Sequence, residues 1–416
     1  MSSTTAIVNI GQLVTLAGPA RPRVGAELRQ LGIIRDAALL IEDGRIVAAG
    51  PYAEVLPNIP PHAVVIDAEG RCVTPGFVDA HTHLVFAGNR AAEFEQRVAG
   101  ATYQQIAAAG GGIQRTVAAT RAASADELLN AARRHRNWML RSGTTTIEAK
   151  SGYGLDQPTE LRMLQVLAQL AIEGPARIVP TLLAAHTVPP EYAHRRAAYV
   201  VTVADELIPK VAEAQLAQYC DVFCDDHAFT VDEARIVLAA ARQRGLRLRV
   251  HAEQFRSGTG AALAAELGAA TADHLETVDE PTLHQLRAAG VQPVLLPGSV
   301  FALSRTQYPP ARKMVELDLG LVIASDFNPG SSPICAMPFI LSLACVQMGL
   351  TPAEALTAST VNAAYSVGLG ASVGSLEPGK AADLLIHEFS DYRELAYFIA
   401  APARPRVFVA GNEVEF

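Results

Sequence analysis

The chain has 416 residues, of which 50% are apolar, so it can bury one large core with a smaller domain beside it. Its 42 acidic and 34 basic residues give a formal net charge of −8, with no long run of one sign. That charge argues against a nucleic-acid or anionic-membrane surface and favours a small-molecule partner. The first residues lack the basic and then apolar order of a signal peptide, and no run of about 18 apolar residues predicts a membrane span. The five cysteines are scattered, as is typical of reduced thiols, so we expect a cytoplasmic protein.

Both ends of the chain show the pattern of β-structure. Residues 39–42 and 45–48 are apolar runs on either side of Asp43-Gly44, a pair favoured in two-residue hairpin turns. Three further strands are predicted near the C-terminus, over residues 382–386, 407–410 and 414–416. Because strands at both ends flank a different pattern, we predict a small composite β-sandwich domain of residues 1–71 and 371–416.

The insert over residues 72–370 alternates short apolar runs with helical segments. Eight runs are predicted as strands, over residues 77–84, 144–149, 178–185, 222–224, 246–252, 271–274, 291–296 and 321–325. Capping boxes of the form Ser/Thr-x-x-Glu predict helix starts at Ser124, Thr230, Thr277 and Thr351. Eight such units indicate a distorted (β/α)8 TIM barrel.

An open, doubly wound sheet has the same alternation and is the alternative fold. Such sheets bind dinucleotides through Gly-x-Gly-x-x-Gly after an early strand, and this chain has no such motif there. Gly110-Gly111-Gly112 lacks the required spacing and is predicted as a loop. The barrel is therefore the favoured architecture.

Polar residues lie at the predicted C-terminal ends of the barrel strands, where a barrel has its active site. His81 and His83 are two residues apart on the first strand, so both imidazoles lie on one face. Later strands end at, or are followed by, further candidates: His186, His251, His274 and Asp326. Because buried imidazoles and carboxylates need partners, this distribution predicts one shared site.

The chemistry of these side chains indicates a catalytic metal centre. Three neutral imidazoles and one carboxylate suit Zn²⁺, and tolerably Fe²⁺ or Mn²⁺, while leaving a position for water. A bound divalent ion lowers the pKa of water from 15.7 to roughly 7 and polarises a carbonyl group. Metal-assisted hydrolysis is therefore the predicted reaction class.

Several motifs together resemble the amidohydrolase superfamily over nearly the whole chain. They are the run Pro75–His83, the later His251 and His274, Ser325-Asp326, and the terminal segment Leu376–Asp383. Four more segments are similar to the substrate-contacting segments of the amidohydrolases that open an imidazolone ring: Phe86–Arg90, Glu148–Leu155, Ala185–Pro189 and Ser325–Ser331.

The resemblance implies hydrolysis of 4-imidazolone-5-propanoate to N-formimidoyl-L-glutamate, the third step of histidine degradation. It also implies a homodimer and one divalent ion per subunit, Zn²⁺ or Fe²⁺. The metal ligands would be His81, His83, His251 and Asp326.

The propanoate group of that substrate needs a cationic partner. Arg90, just beyond the metal-binding strand, offers a bidentate guanidinium, and Tyr153 could donate its hydroxyl to the same carboxylate or to the ring. By resemblance, Gln254 recognises the ring, and Asn328, Gly330 and Ser331 complete the pocket. Whether Glu253 or Gln254 meets the substrate stays open.

For the chemical step, Asp326 is expected to serve as both metal ligand and proton carrier. His274 or His186 would stabilise the oxyanion that develops on the ring carbonyl. Glu253, on the same strand face as His251, is either a second acid–base group or a residue that orients the ligands.

The same residues are compatible with two other interpretations. Hydrolysis of another cyclic amide, or deamination of a purine-like or pyrimidine-like ring, would use the same metal ligands, and the acidic side chain of the substrate separates these reactions from opening of the imidazolone ring. A non-enzymatic binding protein normally loses ligands, which this chain has kept. Lys150 could bridge a second metal if it were carboxylated, and His227 is expected to be a surface or structural residue.

Overall fold

The computed structural model describes residues 4–101, 105, 110–225, 228–401 and 404–416. His227 lies outside the described residues. The strands in chain order are β1 (Thr4–Val14), β2 (Ile33–Glu42), β3 (Arg45–Pro51), β4 (Val64–Asp67), β5 (Cys72–Pro75), β6 (Phe77–Asp79), β7 (Thr144–Lys150), β8 (Arg177–Ala185), β9 (Tyr219–Cys224), β10 (Arg247–Ala252), β11 (Thr271–His274), β12 (Gln292–Leu295), β13 (Val322–Ile323), β14 (Leu384–Ile386), β15 (Arg406–Val409) and β16 (Asn412–Glu413).

Strands from both chain ends form one hydrogen-bonded sheet, as the sequence predicts. Its order is β16-β15-β14-β5-β1-β2-β3, with β4 also paired to β1. The β2–β3 hairpin turns at Asp43 and Gly44, both with positive φ, which is the two-residue turn expected for that pair. Ile7, Leu39 and Phe408 share a buried apolar cluster, so the N-terminal and C-terminal segments are packed together. The last strand is Asn412–Glu413 and not 414–416, because the turn falls on Ala410-Gly411.

The remaining eight strands form a parallel sheet in the order β13-β12-β11-β10-β9-β8-β7-β6. The sheet nearly closes, because a bridge joins Thr82, beyond β6, to Phe327, beyond β13. Two backbone hydrogen bonds support this seam, from His83 N to Phe327 O at 2.9 Å and from Asp326 N to His81 O at 3.0 Å. The chain is thus a (β/α)8 barrel, and its seam lies where the predicted ligands meet. The exact domain boundaries, residues 72–370 for the barrel, stay a prediction.

The helices of the described residues lie mainly between the barrel strands. They are Tyr52–Val55, Ala91–Val98, Ile113–Ala122, Ala125–Arg141, Gln157–Glu173, Arg196–Val201, Ile208–Glu213, Val231–Gln243, Gly260–Leu267, Glu280–Ala289, Pro297–Ala302, Ala311–Glu316, Met337–Met348, Pro352–Ala358, Val361–Ser366 and Glu394–Tyr397. A π-helical turn, Thr202–Leu207, joins the two helices on either side of it, and short 3₁₀ turns lie at Gly25–Arg29, Leu56–Asn58 and Pro190–Tyr192. Within the part of the chain that the structure describes, no helix is both long and apolar enough to cross a membrane.

Three of the four predicted capping boxes are confirmed, at Ser124, Thr230 and Thr351. The fourth is wrong, because the helix Glu280–Ala289 is capped by Asp279, which accepts from Thr282 N at 2.9 Å. A helix start at Thr277 would place Pro281 at the fourth helical position. The N–H of that position makes the first intrahelical hydrogen bond, and proline has no N–H. The Thr277 hydroxyl instead donates to Glu253 O.

A buried histidine, His387, lies at the end of β14 in the terminal sheet. His387 stacks on Phe389 at 4.7 Å, and its Nε2 lies 2.9 Å from Thr74 Oγ1. Burial lowers the pKa of His387 from 6.5 to about 3. Between pH 6.5 and about 3 the unfolded chain therefore binds a proton at His387 that the folded chain does not, so the free energy of unfolding falls as the pH is lowered through this range.

We expect the free energy of unfolding of His387→Gln to fall less over this pH range than that of the parent, by up to about 1.4 kcal/mol per pH unit. Urea unfolding at several pH values measures the difference, with the exposed His62→Gln as the control. Parallel pH profiles of parent and His387→Gln would rule this effect out.

Candidate metal and substrate site

The predicted ligands converge at the C-terminal mouth of the barrel. His81, His251 and His274 offer ligand atoms that lie within 4.8 Å of one another, and so do His81, His83 and Asp326. Asp326 Oδ1 lies 3.6 Å from His81 Nε2 and 3.5 Å from His83 Nε2. Residues more than 240 positions apart in sequence therefore come together in two groups that share His81.

Second partners fix the orientation of two of these imidazoles. His81 Nδ1 lies 2.6 Å from Asp273 Oδ2, and His251 Nδ1 lies 3.0 Å from Asp221 Oδ2. The Asp273 carboxylate holds the proton on His81 Nδ1 and turns Nε2 of that ring toward the cluster, whereas Asp221 Oδ2 contacts His251 Nδ1 without hydrogen-bond geometry. Among the described atoms, both Nε2 atoms are buried without a hydrogen-bond partner, a costly state unless a ligand completes it.

The protonation states suit a cation. Burial, the Lys150 ammonium and the neighbouring imidazoles hold the pKa of His81 well below its usual value, and burial lowers the pKa of His251. Although burial opposes ionisation of Asp326, His83 and His274 outweigh it and lower the pKa of that carboxyl. Neutral imidazoles beside an ionised carboxylate are the donor set that Zn²⁺ and Fe²⁺ accept.

His274 differs from the other imidazoles of the cluster. Burial favours its neutral form, but the Glu276 carboxylate, 3.4 Å from Nδ1, and Asp326 together raise the pKa of His274. Its backbone has φ of +80°, and Asp326 has φ of +53°. Non-glycine residues in this region cost about 1 to 3 kcal/mol each, so packing at the strand ends holds both side chains in place.

An aromatic wall stands beside the cluster. The His186 ring stacks on His83 at a centroid distance of 5.1 Å, and His186 Nδ1 lies 3.0 Å from Gly152 O. Tyr153 packs 5.7 Å from His83 and 5.4 Å from His186, and burial raises the pKa of its hydroxyl. Tyr153 therefore stays a neutral hydrogen-bond donor at the edge of the site.

Arg90 lies near Tyr153, because its charge acts on the Tyr153 hydroxyl. Its Nε donates to Thr116 Oγ1 at 2.9 Å, and a Cβ added to Gly330 would overlap its guanidinium. The loop that contains Gly330 is held by Asn328 Oδ1, which accepts from Gly330 N at 2.8 Å and from Ser331 N at 2.7 Å. Ser331 Oγ in turn lies 3.4 Å from Asp326 Oδ2, so this loop links the Arg90 guanidinium to the cluster of candidate metal ligands.

Glu253 and Gln254 follow β10, but their surroundings differ from those of the ligands. Both oxygens of Glu253 accept from Ala261 N, at 3.1 and 3.2 Å, at the start of the helix Gly260–Leu267. Burial raises the pKa of Glu253 to about 7. Gln254 is 5% exposed, and its backbone oxygen accepts from Arg305 at 2.7 Å. As placed, the Glu253 carboxylate anchors the helix start and is not part of the ligand cluster.

Five buried charged residues lie inside the barrel behind the ligands, and Asp221, Arg249 and Asp273 among them were not predicted as site residues: Glu148, Lys150, Asp221, Arg249 and Asp273. Lys150 Nζ lies 2.9 Å from Glu148 Oε1 and 2.8 Å from Asp221 Oδ2, and these carboxylates raise the pKa of Lys150 despite its burial. A protonated amine is not a nucleophile for carbon dioxide, which argues against a carboxylated, metal-bridging Lys150. The period-2 spacing of Glu148 with Lys150 and of Arg249 with His251 was the available signal.

Comparison with known proteins agrees with this geometry. The family model described as "Amidohydrolase family" matches residues 72–414, so the chain belongs to the amidohydrolases. Two relatives named imidazolonepropionase come from Solibacter usitatus, 56% identical, and Symbiobacterium thermophilum, 47% identical. The matches cover 99% and 98% of this chain, and 98% and 96% of those relatives. Within the amidohydrolases, the chain belongs to the imidazolonepropionase family, which are hydrolases.

A solved structure supports the fold alone. A zinc-containing adenosine deaminase from Xanthomonas campestris superposes with a TM-score of 0.72 at 20% identity, over 99% of this chain and 92% of that one. At this identity the likeness concerns the barrel and the terminal sheet, and not the substrate.

Proposed function

We propose that this chain hydrolyses 4-imidazolone-5-propanoate to N-formimidoyl-L-glutamate in histidine degradation. The name shared by its close relatives supports the reaction. The observation that carries it is the loop Asn328–Ser331, which contacts both Arg90 and Asp326. This contact puts a cation for an acidic side chain next to a hydrolytic centre.

His81, His83, His251 and Asp326 would hold one divalent ion, Zn²⁺ or Fe²⁺. The two orphaned Nε2 atoms and the lowered pKa of Asp326 support this set. When bound, such an ion activates water near neutral pH and polarises the ring carbonyl.

In the chemical step, water attacks the ring carbonyl carbon and the ring C–N bond breaks. Asp326 Oδ1 faces the imidazoles whereas Oδ2 faces Ser331, so the second oxygen accepts the proton of the water and delivers it to the leaving ring nitrogen. His274, with its raised pKa, stabilises the oxyanion better than His186, whose pKa burial holds well below the usual value.

The residues that line the site recognise the substrate. Arg90 pairs with the propanoate, and the neutral Tyr153 hydroxyl donates to the same group. His186 and Gln254 contact the ring, while Asn328, Gly330 and Ser331 shape the pocket. The Glu253 carboxylate accepts a hydrogen bond from Ala261 N and is therefore turned away from the ligands. Its role in catalysis is to position the neighbouring Gln254.

Metal removal tests the reaction class. We expect a chelator to abolish turnover of imidazolonepropanoate and added Zn²⁺ or Fe²⁺ to restore it, because the imidazoles alone do not activate water. Loss of substrate absorbance measures the rate, and adenosine and cytosine serve as control substrates for the deaminase alternative. Full activity after complete metal removal, or faster deamination than ring opening, would refute the proposal.

The proposal also includes a homodimer in the cytoplasm. Exposed apolar side chains at Val346, Tyr397, Phe398 and Ile399 support a subunit contact, since such patches mark interfaces. Analytical ultracentrifugation tests the dimer, and a single monomeric species at micromolar concentration would exclude it.

All five cysteines are free thiols, which supports a reducing compartment such as the cytoplasm.

A further inference from the structure

The charged residues behind the ligands form two chains of contacts that end on metal-facing imidazoles. In the first, Glu148 and Asp221 flank Lys150, and Asp221 reaches His251 Nδ1 at 3.0 Å. In the second, Arg249 Nη2 lies 3.3 Å from Asp273 Oδ2, which is 2.6 Å from His81 Nδ1. Each imidazole is thus backed by a carboxylate, and each carboxylate by a cation.

These side chains are fully buried, so their charges must be balanced inside the protein. Three carboxylates and two cations give these five side chains a formal charge of −1, and Asp326 and Glu276, which is buried 3.4 Å from His274, add further negative charge. A divalent cation at the ligand cluster would offset this excess.

The geometry shows what the cations do for the ligands. A lone carboxylate in this environment can rotate or take up a proton, which would release the imidazole Nδ1. Lys150 fixes Asp221 Oδ2 at 2.8 Å, and Arg249 is itself held by Ala80 O at 2.7 Å, next to His81. The cations therefore restrain the two carboxylates that contact Nδ1 of His81 and of His251.

We propose that Lys150 and Arg249 are positioning residues of the metal centre. Acting through Asp221 and Asp273, they hold His251 and His81 with Nε2 toward the ion, and they do not touch substrate. This inference rests on the proposed metal-dependent function and adds residues to it.

The test measures Zn²⁺ affinity by competition with a chromogenic chelator, on metal-depleted full-length protein. We expect Lys150→Met and Arg249→Met each to weaken binding about 10- to 100-fold, the usual effect of losing such outer partners. Thr271→Val, a buried and uncharged change on β11, is the matched control and should keep the parent affinity. Lys150→Arg should recover part of the loss.

A second readout separates positioning from general damage. With Co²⁺ in place of Zn²⁺, the visible spectrum reports ligand geometry, and we expect it to change in Lys150→Met but not in Thr271→Val. If Lys150→Met does not fold, the double variant Glu148→Gln/Lys150→Met removes one charge of each sign and should still weaken binding.

The outcomes distinguish the two proposals. A parent chain that binds no metal overturns the proposed function itself. A parent that binds Zn²⁺ tightly, with parent-like affinity and Co²⁺ spectra in the folded Lys150 and Arg249 variants, overturns only this inference. Weaker binding in those variants and unchanged binding in Thr271→Val supports it.

Discussion

Replacing Asp326 by alanine is expected to lower kcat for imidazolonepropanoate at least about a thousandfold, because one change removes a metal ligand and the proton carrier. The Asp326 carboxylate lies within 3.6 Å of two imidazoles and is ionised by their proximity. His251→Ala should be as damaging, since it removes the imidazole that Asp221 orients. Metal content and steady-state kinetics, measured on the same samples, check both changes.

Asp205→Ala, an exposed carboxylate in the π-helical turn, is the control and should leave kcat unchanged. The expected signature is joint loss of metal and turnover in Asp326→Ala and His251→Ala. If either variant keeps a turnover rate near that of the parent, the ligand assignment is wrong.

Arg90→Ala should raise KM about 10- to 100-fold and change kcat much less, since hydrogen bonds to charged groups contribute roughly 1.5 to 3 kcal/mol. The guanidinium lies against Gly330 and donates to Thr116, so it is held in place before substrate binds. Gly330→Ala should act in the same direction, because the added Cβ displaces the guanidinium. Kinetics over a wide range of substrate concentration separate KM from kcat.

Arg115→Ala, an exposed arginine on the helix that contains Thr116, is the matched control. A second control is imidazolone without the propanoate group, for which loss of Arg90 should not matter. An Arg90→Ala variant with the parent KM for the full substrate would contradict the carboxylate-binding role.

The fold was largely predictable because alternation and capping are local signals. The eight barrel strands all lie where apolar runs occur, and β11 has the predicted bounds Thr271–His274. The first strand is shorter than predicted, Phe77–Asp79 in place of 77–84. Beyond Asp79 the chain leaves the regular ladder to form the seam with Phe327, which is a long-range contact that no local pattern encodes.

The convergence of the histidines and Asp326 was predictable because strand ends of a barrel meet at one face. The direction in which a side chain points beyond the end of its strand was not predictable. Glu253 shares a strand face with His251, yet its positive φ of +51° turns the carboxylate to the helix start at Gly260–Leu267. The roles of Asp221 and Asp273 also depend on distances between strands, and a single sequence does not give them.

The most direct test of the metal centre is anomalous diffraction from crystals of the active, metal-loaded enzyme, recorded on both sides of the absorption edge of the bound metal. We expect one strong peak per chain, within bonding distance of His81, His83, His251 and Asp326. Active crystals with no peak at that point, or with the metal bound elsewhere, would refute the assignment of these ligands.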